Sequence, residues 1–144
     1  MENPHLLPVL FLYQSGLGKN ELCQLNIRDF HGLSLEIGTD SATRFARTIP
    51  LNEEMAATLH AAIAGRTPHP DEPLFLNQRS KRLSASTLTR YIEEAARKAD
   101  NPKISYKNFQ SNLLTHAFLN KLDPIEVKDY LGYKNGRTIL EYWY

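Results

Sequence analysis

The stretch Leu12-Tyr13-Gln14-Ser15-Gly16-Leu17-Gly18-Lys19-Asn20-Glu21-Leu22 joins two apolar runs through a pair of glycines. Upstream of it, Leu6, Leu7, Val9, Leu10 and Tyr13 predict a short buried helix that stops at Ser15-Gly16. Glycine just past the last apolar position ends a helix because it enters the left-handed region without strain. Downstream, Glu21 to Leu25 predict a second short helix, with Asn20 as its N-cap. After the His31-Gly32 turn the period changes. Leu33, Leu35 and Ile37 alternate with Ser34 and Glu36, the pattern of a half-buried strand. Gly38-Thr39-Asp40-Ser41 makes a polar turn, and Thr43 to Pro50 returns as the partner strand. Residues 33–50 therefore read as a β-hairpin.

Helix dominates from there on. Asn52 caps a helix whose first turn carries Glu53 and Glu54, where carboxylates suit the positive end of the helix dipole. Its apolar face is Met55, Leu59 and Ile63, and Gly65 ends it. The three prolines between Arg66 and Pro73 make that segment a loop, and Leu74-Phe75-Leu76 reads as a third strand. Ser84 or Ser86 starts the next helix, with Leu88, Tyr91, Ile92 and Ala95 inward and Asp100-Asn101-Pro102 as its stop. Phe109, Leu113, Leu114, Ala117 and Phe118 form a further helical stripe, on which His116 is a packing residue. Asp123-Pro124-Ile125-Glu126 combines an N-cap, a proline at the first helical position and a glutamate at the third. Val127, Tyr130 and Leu131 give that helix its face, and Gly132 ends it. The predicted class is α+β: mostly α-helical, with a small antiparallel, three-stranded sheet.

The chain has 144 residues, 42% hydrophobic and 23% charged, which suits one globular domain and excludes wholesale disorder. Its longest apolar stretch, Leu6 to Tyr13, contains Pro8 and is far short of the ~20 residues that span a bilayer. No leader pattern is visible at the start, so the expected setting is cytoplasmic, away from membranes. The single cysteine, Cys23, excludes an internal disulfide framework and reads as a small core residue. His5, His31, His60 and His69 lack metal-ligand spacing, so neither a metal site nor a cofactor is expected. Asp71-Glu72 lies in the proline-rich loop and reads as solvent-facing.

Net charge is only +1, but it is unevenly spread. Residues 1–75 hold five Lys/Arg against nine Asp/Glu, whereas residues 76–110 hold eight against three. The basic group is Arg79, Lys81, Arg82, Arg90, Arg97, Lys98, Lys103 and Lys107. Such a block is the electrostatic footprint that phosphates require.

Three stretches, in order, resemble the catalytic domain of tyrosine recombinases, the phage integrases and chromosome-dimer resolvases. Leu12 to Leu22 is similar to the family's "LYxTGLRxSEL" box, and Ile104-Ser105-Tyr106-Lys107-Asn108-Phe109-Gln110-Ser111 stands where the family has "SPHxLRH". Leu131-Gly132-Tyr133, followed by Thr138 and Tyr142, resembles "LGHxxxxTTxxYxH". Between them Arg47-Thr48-Ile49-Pro50-Leu51 resembles the "R-x-V-P-L" strand, and Leu74-Phe75, Arg79 and the helix over residues 86–99 also fall in the family's order. The resemblance covers nearly the whole chain, 1–144, as a single domain without the family's separate N-terminal core-binding domain.

The resemblance implies a chemistry and also shows where this chain departs from it. In the family a tyrosine hydroxyl attacks a DNA phosphodiester and leaves a 3′-phosphotyrosyl link without any metal. Protein donors must then meet the charge of the transition state, and two bidentate arginines do so best. A lysine in the hairpin turn acts as general acid. Here the first arginine position is Gly18, the second is Gln110, and the histidine after it is Ser111. No lysine lies in residues 39–43. Lys107 keeps a residue type the family tolerates, Tyr133 replaces a His/Trp, and the nucleophile position keeps Tyr142. Losing one preorganised donor costs ~3 kcal/mol, or 10²–10³ in rate.

The implied function is an integrase-like DNA-binding domain, weak and directed at the phosphate backbone, whose active site has decayed. Arg79, Lys81, Arg82, Arg90 and Lys107 are the expected DNA contacts; Tyr142, Lys107 and Tyr133 are vestiges of the catalytic set. One alternative is an active recombinase whose arginines come from Arg44, Arg47 or another subunit. A second is a protein-interaction module that no longer meets DNA. Leu140, Tyr142 and Trp143 are expected to hold the C-terminal segment onto the body, and the tail is also the expected route to self-association or to a recombinase partner.

Overall fold

The computed structural model describes residues 6–38, 45–66, 69–98 and 120–132. Helix α1, Leu7–Ser15, carries Pro8 in its first turn, where a missing N–H costs nothing. Gly16 ends it at φ +72°, and its N–H returns to the Leu12 carbonyl at 3.1 Å. Helix α2, Lys19–Gln24, follows at once. Its N-cap is Gly18 rather than the expected Asn20, because Glu21 reaches back and accepts the Gly18 N–H through Oε1 at 2.9 Å. That is the returning half of a capping box, and it needs no side chain at the cap itself.

The hairpin forms as the alternation predicts. Strand β1, Ser34–Ile37, pairs antiparallel with β2, Arg47–Pro50, in the register Leu35 opposite Ile49 and Ile37 opposite Arg47. Leu35, Ile37 and Ile49 are buried. Among the described residues the sheet has these two strands alone, and the expected third strand at 74–76 is corrected. Pro73 bridges Asn26 and Leu76 bridges Arg82, each as an isolated pair. Leu74 and Phe75 are both buried, 0% and 3% exposed, whereas neighbours in a one-faced strand point to opposite sides. The segment threads through the core between two partners and builds no ladder.

Helix α3, Glu53–Ile63, is capped by Asn52, whose Oδ1 accepts the Met55 N–H at 2.8 Å. Helix α4, Ala85–Lys98, starts after Ser84, whose hydroxyl accepts the Thr87 N–H at 3.2 Å. It buries Leu88, Tyr91, Ile92 and Ala96; Ala95, expected inward, is half-buried beside them. Helix α5, Pro124–Leu131, has Asp123 as cap, with Oδ1 accepting the Ile125 N–H at 2.9 Å, and ends at Gly132 with φ +71°. The core gathers Phe11, Leu12, Leu22, Leu35, Leu59 and Tyr91 from these elements. Helix α1 lies on α3 and α4, and α2 lies on α4. Each fully buried leucine or phenylalanine contributes ~1.5–3 kcal/mol. The helical stripe expected over 109–118 and the tail beyond Gly132 lie outside the described residues.

Candidate nucleic-acid interface

Gly18, where the resemblance expects an arginine, is buried at the start of α2. What surrounds it is a frame of hydrogen bonds centred on Arg47. Arg47 Nη1 donates to Glu21 Oε2 at 2.6 Å and Nη2 to Oε1 at 3.2 Å, with the Glu21 side chain fully buried and that of Arg47 9% exposed. Arg47 Nε donates to the Tyr130 carbonyl at 2.7 Å, and Nη1 also reaches the Phe45 carbonyl at 3.0 Å. The Phe45 N–H donates to the Gly132 carbonyl at 2.7 Å. Four of the five N–H donors of a guanidinium are thereby used inside the protein. Arg47 faces inward.

Gly132 makes room for this arrangement. A Cβ there would lie 2.5 Å from Arg47 Nη1 and 2.7 Å from its Cδ, closer than real Cβ contacts come. Burial holds the Tyr130 phenol above its ordinary value, with the Arg47 charge partly opposing, so it stays protonated at neutral pH. Burial also pushes the Cys23 thiol to about 11 against the charges of Arg82 and Lys19, which agrees with an inert core residue.

The basic surface begins at a turn built by Asn77. Its Oδ1 accepts the N–H groups of Arg79 at 2.8 Å and Lys81 at 3.1 Å, while its own N–H donates to the Lys81 carbonyl at 2.7 Å. Ser80 takes φ +60° at the tip. Both Arg79 and Lys81 are exposed, and among the described residues neither makes an ion pair. Arg82 differs. Its Nη1 donates to the carbonyls of Cys23 at 3.0 Å and Leu25 at 3.3 Å, and Nη2 to Asn26 Oδ1 at 2.5 Å. It thus closes the C-terminal end of α2 while tethering the turn. Arg90, one turn into α4, is 57% exposed and loosely paired with Glu94 at 3.9 Å. Lys19 Nζ donates to Thr89 Oγ1 at 3.0 Å and fixes α2 to the same helix.

Two other arginines are occupied. Arg28 pairs with Asp71, and Arg66 binds the carbonyls of Leu74 at 2.9 Å and Pro73 at 2.6 Å. Asp71 is exposed, as expected of the loop, but is drawn into that pair. Arg79, Lys81 and Arg82 thus lie on the segment before α4, and Arg90 lies on α4 itself. Lys107, Gln110, Ser111, Tyr133, Tyr142 and Arg44 lie outside the described residues.

Two contributors escaped sequence reading. Glu21 carried a signal in its place three residues after Gly18, the capping spacing; Asn77 carried one in standing two residues before Arg79, the spacing of an Asx turn. An apolar pocket of about 520 Å³ lies against α5, lined by Leu51, Met55, Leu122, Val127 and Tyr130 among others. Among the described residues no group of three His, Cys, Asp or Glu could hold a metal ion, and no helix is long and apolar enough to cross a membrane.

Known proteins resemble this chain along its whole length. The pattern of the phage integrase family matches residues 2–144. Tyrosine recombinase XerA of Pyrococcus furiosus is 30% identical over 140 residues, covering 92% of this chain and 47% of that protein. The crystal structure of XerA recombinase superposes with a TM-score of 0.83 at 21% identity, over 99% of this chain and 52% of that one. The Tn1549 transposon integrase in complex with a circular intermediate DNA gives 0.78 at 19%, over 96% and 53%. At these identities the superpositions carry the fold alone. The chain spans about half the length of these relatives.

Proposed function

The chain belongs to the phage integrase family, and from that premise we propose that it is a DNA-binding domain of tyrosine-recombinase descent that does not cut DNA. DNA as the partner is supported by the family and by the paired geometry of Arg79 and Lys81, two exposed cations held on one turn beside α4. The observation that carries the second half is the inward-facing Arg47. With Gly18 and Gln110 at the arginine positions, Arg47 is tied to the same helix start as Gly18 through Glu21, and Glu21 with two carbonyls occupies it. Extracting it to clamp a phosphate would leave the fully buried Glu21 carboxylate unpaired, at a cost of ~3–5 kcal/mol.

The family's chemistry sets the scale of what is missing. Its pentacoordinate phosphorus carries negative charge that must be met where it develops, in a site already organised for it. One absent donor costs ~3 kcal/mol, and the absence of two arginines and the general acid costs more, though such losses do not simply add. A tyrosine hydroxyl of ordinary pKa near 10 needs activating groups to act as a nucleophile, and at three of the family positions that would supply them this chain has Gly18, Gln110 and Ser111. A recombinase protomer engaged through the tail is a proposed partner on the same footing.

Binding is tested by retention on duplex DNA across a salt series. If Arg79, Lys81, Arg90 and Lys107 each meet a phosphate, log K falls with log salt at a slope of roughly −3.6, with Kd of ~10⁻⁴ to 10⁻⁶ M at physiological salt. No retention at low salt would favour a protein-interaction module instead.

A further inference from the structure

We propose that Arg47 is a positioning residue: one side chain that locks the start of α2, the entry of β2 and the C-terminal end of α5 into a single frame. The inference rests on the DNA-binding reading, since the locked segments border the expected DNA-facing positions. Gly18 is held through Glu21, Phe45 lies two residues before β2, and Gly132 directly precedes Tyr133.

Ordinary secondary structure does not link these three places. Strand β2 pairs with β1, and α2 lies on α4; no described strand or helix packs broadly on α5. Two polar ties at the end of α5 run to Arg47 Nε, through the Tyr130 carbonyl, and to the Phe45 N–H, through Gly132. Only arginine fits the role. Its fork meets both oxygens of Glu21, while Nε points out of the side of the same plane to a third partner. A lysine has no planar fork and cannot reproduce those directions together. The missing Cβ of Gly132 leaves the space in which the guanidinium lies.

A buried pair of this kind adds little net stability over an apolar pair of similar size, so its value lies in fixed geometry. That distinction makes the proposal testable. In Glu21→Met/Arg47→Met both charges leave together, and in Arg47→Lys the charge stays while the fork goes. Amide hydrogen exchange, thermal unfolding and DNA retention are measured for both variants and the parent chain. The expected result is at least tenfold faster exchange at Phe45, with Leu59 in α3 close to the parent, and roughly tenfold weaker DNA retention at an unchanged salt slope. Exchange at Phe45 that is unchanged, or that rises only in step with Leu59, would overturn the proposal and leave a plain stability contact. A slope shallower by about 0.9 would overturn it differently, by making Arg47 a phosphate contact. If the double variant does not fold, Arg47→Lys decides by the exchange at Phe45 and Leu59 alone, because its retained charge leaves the salt slope unchanged. If the parent chain itself is not retained on DNA, the DNA-binding reading fails, and the exchange at Phe45 still decides the role of Arg47.

Discussion

Gly132 and Gly65 share a left-handed backbone, φ +71° and +77°, yet their surroundings differ completely. A Cβ at Gly65 meets nothing within 4 Å, whereas one at Gly132 drives into the Arg47 guanidinium. Gly65→Ala therefore carries only the left-handed penalty, ~1–2 kcal/mol. Gly132→Ala carries that penalty and displaces a buried charge from its carboxylate, which alone costs ~3–5 kcal/mol. At roughly 2–4 °C per kcal/mol for a domain near this size, the first substitution lowers the melting temperature by about 5 °C and the second by more than 10 °C. Equal shifts in calorimetry would mean that Arg47 does not occupy the space beside Gly132. Sequence reading recognised Gly132 as a helix end because that property is local. It did not find the Glu21–Arg47 pair, because no spacing rule connects a helix residue with a strand residue 26 positions away. The absence of an arginine at Gly18 was legible at once; the fate of the arginine that remains was not.

Helix ends and the hairpin were readable for the same reason. Asn52, Asp123, Gly16 and Gly132 each act within one turn of chain, and Leu35, Ile37 and Ile49 follow the strand period. The segment at 74–76 was not readable as it stands, since two consecutive buried residues and a preceding proline fit a short core strand equally well by pattern. Its partners, Leu25 on one side and Leu83 on the other, decide the matter. The basic turn that follows gives the prediction proper to this scale. Arg79→Gln or Lys81→Gln removes one exposed cation without touching a core contact, so each makes the salt slope shallower by about 0.9 with the melting temperature unchanged. Asn77→Ala keeps every charge but releases the turn, weakening DNA retention at the same slope. Arg82→Gln frees the Cys23 and Leu25 carbonyls and lowers thermal stability instead. These four variants, compared by DNA retention and thermal unfolding, separate phosphate contacts from supports; a common response in all four would refute the division.

On the scale of the molecule, the described residues keep the fold of a recombinase. The two-stranded sheet, the stacked helices α1 to α4 and the capped α5 superpose on XerA recombinase at a TM-score of 0.83, over about half of that chain. The order of the three sequence boxes made that frame legible, because order and separation survive when single residues change. The chemistry depends on a few side chains whose placement is a matter of ångströms, and there the chain carries glycine and glutamine in place of guanidinium. Retained shape with neutral residues at those positions is what the proposed binding domain without strand cleavage requires. The decisive measurement is incubation with a nicked suicide DNA substrate at low salt, followed by denaturing electrophoresis. The account predicts no covalent protein–DNA adduct from the parent chain; an adduct that forms with it and vanishes in Tyr142→Phe would contradict it.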